Sequence, residues 1–77
     1  MGTKTNPGNF DCYANAEPDE PMFVLLARDP AAAATVRTWV DMRLLLSGGK
    51  IDDNDLAQLR EAMSCAVAMD EWRKRNR

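Results

Sequence analysis

Four carboxylates fall within ten residues near the start of the chain: Asp11, Glu17, Asp19 and Glu20. A pair of them could do acid–base work or hold a divalent cation. Their spacing fits no calcium loop and lacks its turn glycine, so a solvated acidic turn that caps helices is the expectation. Histidine is absent throughout. That removes the usual general base near neutral pH and the commonest activator of a serine or cysteine nucleophile. Cys12 and Cys65 are the two cysteines. Two thiols without histidine do not build a structural zinc site, and both are expected to stay reduced and behave as small buried hydrophobes. The residues therefore imply no enzyme, no cofactor and no bound metal.

Cations offer a different chemistry. Arg28, Arg37 and Arg43 lie on or next to apolar stretches, where a charged head needs a partner. Asp52 or Asp55 is the expected partner of Arg43, and Asp70 is level with Arg28. If Arg28 is free, then Arg28, Tyr13 and the start of a helix at Pro30 would cradle an anion. Arg37, Arg43 and Trp39 complete the candidate ligand-binding set. Arg73, Lys74, Arg75 and Arg77 make a basic end able to track phosphates, with Trp72 to stack a base. The same charges also suit a helix C-terminus and solubility, and that is the favoured reading.

The elements that must position these groups are helical. Residues 1–9 are polar with Pro7-Gly8 and read as a flexible tail; residues 10–77 form one domain. Met22–Arg28 is too apolar for a loop, and Pro21 suits a helix start, so a short helix over about 21–28 is expected, although periodicity does not separate it from a buried strand. A second helix should run over about 30–47, with Asp29 as its N-cap and Gly48-Gly49 as its stop. Its apolar stripe is Ala33, Val36, Trp39 or Val40, Leu44 and Ser47. A third should run over about 53–74. There Asp52 is the N-cap, Asp55 the third residue in, and Ile51 and Leu56 take the staple positions. Leu56, Leu59, Met63, Ala66 and Met69 carry its stripe.

The short link between the last two helices predicts an antiparallel hairpin. It places Val36 near Met63, and Ala32 and Ala33 near Ala66 and Val67, where small residues let the helices approach. The first helix should cross the open end and set Phe23 and Leu26 against Trp72. The fold class is thus all-α, a short N-terminal helix on an antiparallel helical hairpin.

At 77 residues such a domain is only marginally stable without a staple or a partner. Val40, Leu44, Leu45 and Leu46 make the second half of helix two apolar nearly all round. One helix cannot cover all of that, so a homo-oligomer or a partner groove is expected. Asp11, Asp19, Glu20, Val40, Leu44 and Leu45 are the candidate protein-interaction residues. A formal net charge of −2 argues against a general affinity for nucleic acid. There is no secretory signal and no span able to cross a bilayer, which suggests a soluble cytoplasmic protein.

FDCYANA at residues 10–16, PDEPMFVLLARDP at 18–30, Trp39 with Arg43, and Cys65-Ala66, Met69 and Trp72-Arg73 carry a resemblance. The chain resembles, from about Asn9 to Arg73, a group of small proteins encoded by tailed bacteriophages and prophages. The group has no assigned activity, so no site residue carries over. The resemblance implies a phage accessory protein in the host cytoplasm. Small phage proteins of this kind often counter defence, by blocking a host defence protein or by sequestering a small nucleotide-like anion. A structural or nucleic-acid-associated role through the basic end is the alternative.

Overall fold

A computed structural model of the chain describes residues 1–76. Among them are three α-helices and no strand: α1 (Cys12–Asn15), α2 (Ala32–Ser47) and α3 (Asp53–Asn76). The domain is all-α, and α2 and α3 pack against each other as the hairpin.

The hairpin link forms as local chemistry requires. Gly48 closes α2 in the left-handed region at φ 61°, and its N–H donates to the Leu45 carbonyl. A residue with a Cβ is disfavoured there. Asp52 then opens α3, its Oδ1 accepting the Asp55 N–H at 2.7 Å. Asp55 does not return the bond, because its own carboxylate faces Arg43. Ile51 packs on the core as the staple spacing implies. At the other end, Arg73, Lys74 and Arg75 occupy the last turn of α3, where positive charge complements the helix dipole.

The start of α2 differs from the expectation. The helix begins at Ala32, and the cap position is Ala31, which makes no side-chain cap bond. Asp29 instead closes the turn before it, accepting from Ala31 N through Oδ1 and from Ala32 N through its carbonyl. Pro30 and Ala31 thus belong to the turn.

The core is small. Val40, Leu59 and Ala62 form a cluster with Met1, Val36, Trp39 and Ile51 packed on it; Ala32, Ala33 and Ala66 are the other buried residues. The hairpin register is as expected around Val40 and Leu59, but both stripes are rotated slightly. Ala62 replaces Met63, which is exposed, on α3; on α2 Leu44 is exposed and Arg43 takes the half-buried place. Close approach explains the choice on α3: alanine lets the backbones meet, and the methionine is turned outward.

Two expectations are overturned. No helix forms over residues 21–28. Residues 21–26 have no regular structure, and a turn follows in which Asp29 N–H donates to the Leu26 carbonyl at 2.9 Å. A segment bracketed by Pro21 and Pro30 is too short for a stable isolated helix. In this irregular strap Leu25 and Ala27 are half-buried, while Val24, Leu26 and Arg28 are exposed. The short N-terminal helix is α1, ten residues earlier.

Residues 1–9 are the second correction. They fold back on α3 rather than forming a free tail. The Met1 ammonium donates to the carbonyls of Pro7 at 2.9 Å and Phe10 at 2.8 Å, and pairs with Glu61 Oε1 at 3.5 Å. Glu61 Oε2 accepts the Asn9 N–H. Gly8, at φ 81°, passes so close to the Met1 carbonyl and the Glu61 carboxylate that a Cβ would collide with both.

Candidate functional site

The candidate cations separate into two that are engaged and one that is not. Arg37 donates to Asp70 Oδ2 at 2.7 Å, tying α2 to α3. Asp70 therefore pairs with Arg37 and not with Arg28. Arg43 reaches Asp55 at 3.4 Å, and its guanidinium sits 5.3 Å from the Trp39 ring centroid. Both pairs are partly solvated and hold the hairpin in register more than they stabilise it. Trp39 packs on the core cluster. Arg37, Trp39 and Arg43 therefore belong to the scaffold, and the ligand set read from sequence is not one site.

Arg28 makes no ion pair among the described residues. It lines a groove of about 530 Å³ between the strap and α3. Leu25, Leu26 and Ala27 form one wall and Cys65, Ala68, Met69 and Trp72 the other, with the turn at Gly2–Lys4 closing an end. Arg28 is placed there by the turn that closes with Asp29 N–H donating to the Leu26 carbonyl, while Leu25 and Ala27 are half-buried. Lys4 is held by the reciprocal backbone bonds between Thr3 and Asn6. The result is an apolar cleft with two cations on its lining, in the size range of small-molecule sites. Leu26 shares it with Trp72 as expected. Phe23 does not; it is 84% exposed.

Tyr13 is absent from this groove. It lies on α1, 79% exposed, and does not form the expected cradle with Arg28. The N-terminus of α2 completes no cradle either, since Asp29 already places a carboxylate on that turn.

A second concavity, of about 380 Å³, lies around α1, with Phe10, Cys12, Phe23 and Gln58 among its lining residues. Its acids serve local structure. Asp11 Oδ1 accepts the Tyr13 N–H at 3.1 Å, and Glu20 Oε1 accepts the Glu17 N–H at 3.0 Å. Asp11 and Glu20 therefore act as caps, while Asp19 is exposed on the turn between them.

Of the expected interaction residues, Val40 is core and cannot meet a partner, whereas Leu44 and Leu45 are exposed. Lys74 and Arg75 are exposed and Arg73 half-buried; Arg77 lies outside the described residues. Both cysteines are free thiols, but neither is the buried hydrophobe expected: Cys12, on the solvated α1, is exposed and Cys65, on the groove wall, is half-buried. No helix among the described residues is long and apolar enough to cross a membrane.

Lys4 and Glu61 were not indicated by sequence reasoning, and Cys65 and Met69 were read only as apolar side chains, not as site residues. Lys4 and Glu61 are brought into play by contacts between the chain start and α3, across about fifty residues, which no local pattern reports. Met69 was legible as an apolar stripe residue but not as the floor of a groove. No family model, no curated protein and no solved structure matches the chain.

Proposed function

We propose that the protein acts by binding, without chemistry of its own. It is a tailed-phage accessory protein that works in the host cytoplasm and sequesters a small nucleotide-like anion used in defence. The observation that carries this reading is the pairing of Arg28 with Trp72, Met69 and Leu25–Leu26 in one groove, with Lys4 as a second cation. A flat ring would lie on the apolar floor, where Trp72 offers a stacking surface. Its negative groups would take charge-assisted hydrogen bonds from Arg28 and Lys4. The missing histidine and the engagement of Asp11, Glu20, Asp55 and Asp70 in caps and ion pairs favour binding over turnover.

Isothermal titration of the purified chain with a panel of nucleotides tests this. Inorganic phosphate and free nucleosides serve as charge-only and ring-only controls. The nucleotide should bind and be recovered unchanged. Arg28→Ala should weaken binding by about 10-fold or more, the value of one charge-assisted hydrogen bond. Full affinity in a folded Arg28→Ala variant would rule out the groove.

Blocking of a host defence protein is the second reading, favoured by the exposed Leu44–Leu46 run. It predicts no ligand in the groove and a stable complex with one host protein. Nucleic-acid association rests on Arg73–Arg75 alone, and predicts salt-dependent binding that is lost when residues 73–77 are removed.

A further inference from the structure

The face of α2 turned away from α3, together with the cap residue Ala31 that precedes the helix, carries a second seam. Ala31, Thr35, Thr38, Met42 and Leu45 follow one another at alternating four- and three-residue steps, the spacing by which one helix face meets another helix. All five are exposed. They lie opposite Val40, the residue that α2 commits to the hairpin core. Leu46 flanks them at 76% exposure, and Leu45 itself is 73% exposed. Across the seam and its flanking positions, Ala34, Trp39, Asp41 and Leu46, Asp41 is the single charge. Thr38 already spends its hydroxyl within the helix, donating to the Ala34 carbonyl at 3.0 Å. It can therefore enter a dry contact with its donor satisfied.

We propose that a second copy of the chain covers this face, with α2 lying antiparallel on α2 of its partner about a two-fold axis near Thr38. Two hairpins would then form a four-helix array with the α2 pair at its centre. The order of side-chain sizes selects the direction. The first half of the seam is small (Ala31, Ala34, Thr35) and the second half large (Met42, Leu45, Leu46). Antiparallel pairing sets large on small along the contact, bringing Leu45 over Ala31 of the second copy. Parallel pairing would set leucine on leucine at one end and leave a gap between alanines at the other. Charge points the same way: antiparallel pairing puts Asp41 opposite Thr35, and parallel pairing would oppose it to itself.

Area agrees with the occupant. The chain exposes 6221 Å², whereas a compact chain of its mass exposes about 4,700 Å². The excess over the whole chain is about 1,500 Å²; it is shared with the exposed Phe23, Val24 and Leu26 of the strap, and still leaves room for the roughly 800 Å² that each side of a stable two-partner interface gives up. The face lies on the side of α2 away from α3, while the groove lies between the strap and α3. This inference therefore stands apart from the ligand reading.

Sedimentation velocity across a wide concentration series, together with site-directed cross-linking, tests it. The full chain should sediment as a dimer. Leu45→Arg should raise the dissociation constant at least about 30-fold, because the two-fold axis puts a charged side chain in place of an apolar anchor at both ends of the contact, with helicity by circular dichroism retained in the monomer. In a Cys12→Ser, Cys65→Ala background, Thr38→Cys should form an interchain disulfide. Leu45→Cys should form one only when combined with Ala31→Cys. A monomer at every concentration would overturn the proposal. So would a dimer indifferent to Leu45→Arg, or efficient cross-linking of Leu45→Cys by itself, which would mean parallel pairing.

Discussion

Asp52 and Glu61 are both carboxylates that accept backbone N–H groups, yet they differ in how they are found. Asp52 caps a residue three positions on, so its role follows from local spacing. Removing it as Asp52→Ala should cost about 1 kcal/mol, measured as a shift in the urea midpoint. Glu61 holds the chain start from across the sequence, through Asn9 N–H and the Met1 ammonium, so no window of sequence contains the interaction. Its Oε1 is buried without a hydrogen bond, and the ammonium at 3.5 Å is its compensation. Gly8→Ala tests that docking: the Cβ meets Met1 and Glu61, so hydrogen exchange over residues 1–9 should accelerate while α2 and α3 keep their protection. Asp70 shows the limit of reasoning by level along the hairpin. Arg28 and Arg37 both lie near its end of α3, but Arg37 projects from α2 itself, while Arg28 rides on the strap over the groove.

At the scale of elements, α2 and α3 and the link between them were legible because each is marked by local chemistry: a glycine stop, an aspartate cap, an apolar stripe. The strap was not. Met22–Arg28 is apolar enough for a helix, and its shortness between two prolines and the turn that closes at Asp29 explain why it forms none. The groove is lined by this irregular segment, so the site could not have been drawn from helical geometry. The alanines fix how near α2 and α3 come: Ala32, Ala62 and Ala66 have no exposed surface at all. Ala66→Leu should therefore destabilise by about 1–3 kcal/mol through overpacking, read by thermal or urea unfolding. Breaking the Arg37–Asp70 pair in a double-mutant cycle should register about 1 kcal/mol or less, since both side chains are more than one-third exposed.

The whole molecule is more open than its length requires. Its radius of gyration is 13.1 Å, against about 11.5 Å for a compact domain of this length. No large side chain is fully buried. A core of two medium side chains and four alanines gives little of the apolar burial that offsets chain entropy in a domain of this size. Stability should therefore come partly from association, and the unfolding midpoint should rise with protein concentration. The surplus of apolar surface was visible in the sequence as a second half of α2 that is apolar nearly all round. Which face meets α3 and which faces outward became clear only once Val40 was seen inside and Leu45 outside.

The most direct test of the account is native mass spectrometry of the intact protein recovered gently from infected bacteria. It reports subunit number and retained ligand together. The account predicts an even-numbered assembly carrying added mass of nucleotide size, with that mass absent from the Arg28→Ala protein while the assembly persists. A bare monomer would contradict both the groove and the second copy. A ligand-free complex with one host protein would contradict sequestration and identify the chain as a blocker.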